Sequence, residues 1–146
     1  MVELTEKGLS FFSLFEKVTH TMPSDYVEGE SFLVFIVDPQ SLGMAIGKKG
    51  ANIKRLSNAF RKKVVIVGNS DDPEEFIRNF FKNVNILGIE ERDVMGEKAM
   101  IVMLDEKDRG IAIGRNGERI KALKSFMKDK FNATVHIKTR RVLEQY

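Results

Sequence analysis

Apolar residues along this chain follow two rhythms, helical and strand-like, and the order in which they alternate occurs twice. Phe11, Phe12, Leu14, Phe15 and Val18 recur at helical spacing and predict an amphipathic helix over about Glu6 to Thr19 with its apolar face in a core. The unbroken run Phe32-Leu33-Val34-Phe35-Ile36-Val37 predicts a buried strand over Ser31 to Val37. It pairs in a hairpin with Thr21 to Tyr26 through a turn at Glu28-Gly29-Glu30. A short helix ending at Ile46, a turn from Gly47 to Gly50, a longer helix to about Arg61 and a strand Val64-Val65-Ile66-Val67 complete the order αββααβ.

The second half runs through the same order. Asp72 is placed as an N-cap, Pro73 at the first helical position and Glu75 to complete a capping box. The helix they open buries Ile77, Phe80, Phe81 and Val84. Strands over Asn85 to Arg92 and Lys98 to Leu104 are joined through Met95-Gly96-Glu97. A short helix, a turn from Gly114 to Gly117, a long helix and the strand Thr134 to Lys138 follow.

The repetition is visible residue by residue. Asp38 to Leu56 lies over Asp105 to Leu123 at a constant offset of 67, with nine of the nineteen positions identical. Chance would leave one or two, so the chain reads as a tandem duplication. The fold class is α+β, with one αββααβ module over residues 1–69 and a second over 70–146. The connector, Gly68-Asn69-Ser70, is too short for the modules to tumble independently, so they are expected to pack as a rigid pair.

Composition removes whole classes of function. With 146 residues, 42% hydrophobic and 31% charged, the chain is ordinary globular material without an apolar run long enough for a membrane span. No cysteine is present, which excludes a disulfide framework, a thiolate nucleophile and thiolate-built metal centres. His20 and His136 lack acidic partners at ligand spacing, and Asp105-Glu106-Lys107-Asp108 and Ser70-Asp71-Asp72 read as helix starts. No metal, cofactor or catalytic set is therefore expected, and the protein is expected not to be an enzyme. The acidic start without an apolar signal core points to the cytoplasm.

The net charge of +3 conceals a segregated distribution. Residues 48–63 carry seven basic and no acidic side chains, and residues 109–130 carry seven basic against Glu118 and Asp129. These windows hold +7 and +5, so the remaining residues hold −9. Such segregation suits a polyanionic partner. Each window contains one of the glycine turns, Ile46-Gly47-Lys48-Lys49-Gly50 and Ile113-Gly114-Arg115-Asn116-Gly117. Glycine allows a sharp turn and close approach of a ligand backbone, the following helix offers N–H groups, and the intervening side chains add charge. That is a phosphate seat. Neither nucleotide loop fits: Gly43 and Gly47 are separated by three residues where a Walker loop has four, and no G-x-G-x-x-G occurs.

The pattern Ala-Ile-Gly-x-x-Gly-x-x-Ile-Lys, at Ala45 to Lys54 and again at Ala112 to Lys121, resembles the type II KH domain. In that domain the G-x-x-G loop clamps about four nucleotides of single-stranded nucleic acid. The tandem arrangement is similar to that of the NusA-like family, in particular its short archaeal members. The resemblance implies a single-stranded RNA binder acting in transcription elongation, termination or antitermination. Gly47, Lys48, Lys49 and Gly50, with Gly114, Arg115, Asn116 and Gly117, would clamp the RNA backbone. Lys54 and Lys121 would reach phosphates or base edges, with Arg55 and Arg119 as weaker candidates, and Ile46, Ile53, Ile113 and Ile120 would line the groove over core Leu56 and Leu123. Asn116 in place of Lys49 makes the second loop a weaker or more selective clamp. RNA polymerase and ribosome-associated factors are candidate partners, and a monomer is expected. The competing readings are a ribosome-associated or RNA-processing KH protein, and a protein-interaction scaffold with one degenerate module.

Overall fold

The computed structural model describes residues 6–143, and the chain divides into two compact units, Met1–Asp71 and Asp72–Tyr146. In the first unit, helix α1 (Glu6–Thr19) precedes strands β1 (Asp25–Glu28) and β2 (Phe32–Val37), helices α2 (Leu42–Ile46) and α3 (Ala51–Phe60), and strand β3 (Lys63–Gly68). In the second, α4 (Pro73–Phe80), β4 (Ile86–Val94), β5 (Glu97–Asp105), α5 (Arg109–Ile113), α6 (Glu118–Phe131) and β6 (Ala133–Arg140) repeat that order. Each unit is α+β, with one three-stranded sheet whose middle strand pairs antiparallel with the first and parallel with the third.

The apolar run of β2 is buried along its whole length, as a central strand requires. Leu33, Phe35 and Val37 face a core built with Phe11 and Phe15 of α1, Ala45 of α2 and Leu56 of α3. The buried line of α1 is Gly8, Phe11, Phe15 and Thr19, while Phe12, Leu14 and Val18 are only partly covered. Thr19 closes that helix by donating its hydroxyl to the Phe15 carbonyl oxygen at 2.8 Å. In the second unit Phe76, Ile77, Phe80, Phe81, Leu123, Phe126 and Met127 are all buried, and the Phe126 ring meets those of Phe76 and Phe80. The N-cap reading of Asp72 holds, since its carboxylate accepts the Glu75 amide at 2.9 Å.

Element boundaries differ from the sequence reading in several places, among them the end of β1 at Glu28 and the span of β6 over Ala133–Arg140. β1 begins at Asp25, after Pro23, which has no N–H to give a ladder. Gly68 belongs to β3, opposite Val37, so Asn69 to Asp72 link the last strand of one unit to the first helix of the next. In the second hairpin a two-residue turn at Met95-Gly96 lets pairing continue to Val94 opposite Glu97, beyond the Arg92 and Lys98 limits expected.

Candidate nucleic-acid interface

Both glycine turns have the same backbone. Gly47 (φ 80, ψ 167) and Gly114 (φ 78, ψ 174) occupy a region open essentially to glycine alone. A Cβ at Gly47 would lie 2.9 Å from the Asn52 backbone nitrogen, and one at Gly114 2.6 Å from the Arg119 Cβ. The first glycine of each loop is thus fixed by sterics as well as by φ. The second, Gly50 (φ 73) or Gly117 (φ 73), is left-handed, and a Cβ there would meet nothing closer than Lys121 Cε at 3.9 Å. That side is open to a ligand.

Between the glycines, Lys49 (φ 54) and Asn116 (φ 55) are also left-handed. Asparagine tolerates this conformation better than lysine, so the first loop accepts local strain in order to carry its second charge. The amides of Gly50 and Ala51 are taken by the carbonyls of Gly47 and Lys48. In the second loop Gly117 and Glu118 do the same with Gly114 and Arg115. The first amide of the long helix is thus satisfied within each loop. The amides of Lys48 and Lys49, and of Arg115 and Asn116, have no acceptor among the described residues. Two adjacent amides under one or two cationic side chains form an anion-binding concavity.

Lys48, Lys49, Arg115 and Asn116 are exposed, as are Lys54, Arg55 and Lys121. Ile46, Ile53, Ile113 and Ile120 are partly buried, and Ile46 and Ile53 pack against the first core while keeping some surface. Leu56 and Leu123 are fully buried core. Beside each loop stands an exposed apolar residue the motif did not flag: Met44 and Ile111, matched at the same offset of 67. Their shared apolar character at matched positions was the signal available in the sequence.

Arg119 corrects the sequence reading. It stands where Asn52 stands in the first unit, and both hold the same carbonyl. Asn52 Nδ2 donates to Met44 O at 2.9 Å and Arg119 Nη1 to Ile111 O at 3.0 Å. Arg119 Nη2 further donates to Phe80 O at 3.2 Å and Asn83 Oδ1 at 2.6 Å, and its guanidinium lies 5.3 Å from the Phe81 ring centre. Burial pushes its pKa below the ordinary arginine value. This side chain ties the short helix to the end of α4 and is not available to a ligand. Arg119→Met is expected to cost the second unit about 2 kcal/mol, since it removes charge-assisted bonds to two carbonyls and an amide. Arg119→Asn should recover part of that loss by the bond Asn52 makes, and urea denaturation of the two variants checks both.

Lys62 is likewise withdrawn from the basic surface. Its ammonium donates to Glu28 Oε2 at 2.7 Å and to Gly29 O at 2.8 Å, while Lys7 bridges the other Glu28 oxygen. Partial burial raises the Glu28 pKa, but the bonds from Lys62 and Lys7 outweigh it and hold the carboxyl below its usual range. Lys48, Lys49, Lys54, Arg55, Arg61 and Lys63 make no ion pair among the described residues. Over residues 48–55 the first unit thus presents four cations and no acid. With Arg119 turned inward, the matching stretch of the second presents Arg115 and Lys121 against Glu118. No cluster of three His, Asp or Glu able to hold a metal occurs among the described residues, and no described helix is long and apolar enough to cross a membrane.

The KH domain family matches residues 13–71 and 73–145, one match per unit. The "Probable transcription termination protein NusA" of Methanocaldococcus jannaschii is 32% identical over 124 residues, which cover 84% of this chain and 68% of that protein. Its namesake from Halococcus morrhuae is 28% identical over 134 residues, 90% of this chain and 94% of that one. The crystal structure of APE1850 is similar with a TM-score of 0.74 at 30% identity, covering 92% of this chain and all of that one.

Proposed function

This chain belongs to the KH domain family, as an archaeal NusA-like protein with two such modules in tandem, and from that premise we propose that it binds single-stranded RNA as a non-enzymatic transcription factor. The observation that carries the reading is the twice-built loop, in which two adjacent amides lack an acceptor beside a Gly-only turn and exposed cations. Phosphates rest on the amides, Lys48, Lys49 and Arg115 neutralise them, and Lys54 and Lys121 extend the path along α3 and α6. Bases lie toward Ile46, Ile53, Ile113 and Ile120. A role in transcription termination is supported by the names of the relatives, and RNA polymerase is the partner such a role implies.

Single-stranded RNA is expected to bind more tightly than duplex of the same sequence, because a cleft beside G-x-x-G admits one strand with its bases unstacked. Neutralising four to six phosphates gives a log–log salt slope of about −3 to −4. Fluorescence titration between low and moderate salt checks both. Equal affinity for duplex, or a slope near zero, would overturn the reading. Crosslinking in cells followed by sequencing of the attached RNA tests the transcription role: the reads should concentrate in nascent transcripts.

A further inference from the structure

The duplication breaks down at one place, the tip of the second hairpin. In the first unit pairing ends with Glu28 opposite Leu33. The residue matching Leu33 is Met100, opposite Glu91, and from there the second hairpin adds three further pairs, Arg92 with Ala99, Asp93 with Lys98 and Val94 with Glu97. The added tip closes on Met95 and Gly96.

Met95 breaks two rules at once. It is 99% exposed, and it holds a left-handed backbone (φ 55) at the first central position of a two-residue hairpin turn, where Asn or Asp is strongly preferred. An asparagine would relieve both the exposed apolar surface and the backbone strain. Val94 beside it is also more than half exposed.

The charges around this tip disfavour RNA. Arg92 pairs with Glu90 at 2.9 Å and Lys98 with Glu91 at 3.5 Å, so both cations are neutralised within the hairpin. Asp93 and Glu97 make no ion pair among the described residues and flank Val94 and Met95, although one Asp93 oxygen also accepts the Gly96 amide of the turn at 2.9 Å. An apolar knob between two acids complements an apolar pocket rimmed by Lys or Arg.

We propose that the β4–β5 tip is a protein-docking knob, separate from the glycine loops, in which Met95 enters an apolar pocket on a partner protein and Asp93 and Glu97 meet a basic rim. The occupant proposed is a different protein, and RNA or a second copy of this chain would be contrary outcomes.

A photoreactive amino acid placed at Val94 of the full chain, with Met95 intact, tests this in cells of the protein's source. One protein should be crosslinked, through a peptide in which apolar residues are bordered by Lys or Arg. With that protein purified, Met95→Asn should weaken binding by about tenfold or more, as loss of an interface anchor does, and Glu97→Lys should weaken it further at low salt. Met95→Asn should at the same time leave the thermal midpoint unchanged or higher, which separates lost docking from lost folding, and should leave RNA affinity unaltered. Crosslinks to RNA, to another copy of the chain or to nothing would overturn the proposal, as would a purified partner that binds the Met95→Asn protein as well as the unaltered one.

Discussion

Replacing Lys48 and Lys49 together by Asp is expected to lower the affinity for single-stranded RNA by at least about tenfold without unfolding the first module. The change takes the loop from two positive to two negative charges at the point where the paired amides face the ligand. Each charge within about 4 Å of a phosphate is worth roughly 1 kcal/mol even at the dielectric of water, so four units of charge exceed the 1.4 kcal/mol that tenfold requires. Folding should survive, because both lysines are exposed and make no ion pair among the described residues, and because Asp accepts the left-handed backbone of position 49 more readily than Lys. The control is Arg61→Glu with Lys63→Glu, the same change in charge at the far end of α3, about 15 Å away for a ten-residue helix. Lys62 is unsuited as a control, since it is bound to Glu28 and Gly29 inside the module. Arg115→Asp with Asn116→Asp should cost less, because the second loop starts with one charge. If the Arg61 and Lys63 changes weaken binding as much as those at Lys48 and Lys49, the loop has no special role and a diffuse basic face accounts for the affinity.

The two loops were legible in the sequence because glycine spacing, apolar flanks and charge coincide there and recur at a fixed offset. The αββααβ order was legible for a related reason: a buried central strand such as Phe32 to Val37 has no polar positions to blur its pattern. What the sequence hid is where long side chains go. Lys62 and Arg119 read as part of a basic surface, yet each turns back to satisfy backbone carbonyls, a choice set by groups 33 to 39 residues away. The pattern also hid how each loop spends its own amides: the tight turn takes up the amides of the second glycine and of the residue after it, and leaves the two before them without an acceptor among the described residues. Hairpin ends were missed because a two-residue turn with Met in its first position lies outside the usual turn vocabulary, so pairing seemed to stop short of it.

An RNA of about ten nucleotides is expected to bind the intact protein about a hundredfold more tightly than one of five. One KH cleft covers about four nucleotides, which limits what either module can achieve alone. The four residues from Asn69 to Asp72 span at most about 14 Å when fully extended, so a strand held by one module finds the other at high local concentration. The charge difference between the loops leads us to expect different shares: most of the electrostatic grip from the first, with four cations over residues 48–55, and added length and selectivity from the second, with Asn116 in its loop. Titration of labelled RNAs of five, eight, ten and fifteen nucleotides should show affinity rising steeply up to about ten and then levelling. In the Arg115→Asp, Asn116→Asp protein the rise should flatten, while binding of the five-nucleotide RNA is nearly retained. If the unaltered protein holds five and ten nucleotides equally well, the modules do not share one strand, and a protein that follows a transcript through two linked clefts is the wrong description of this chain.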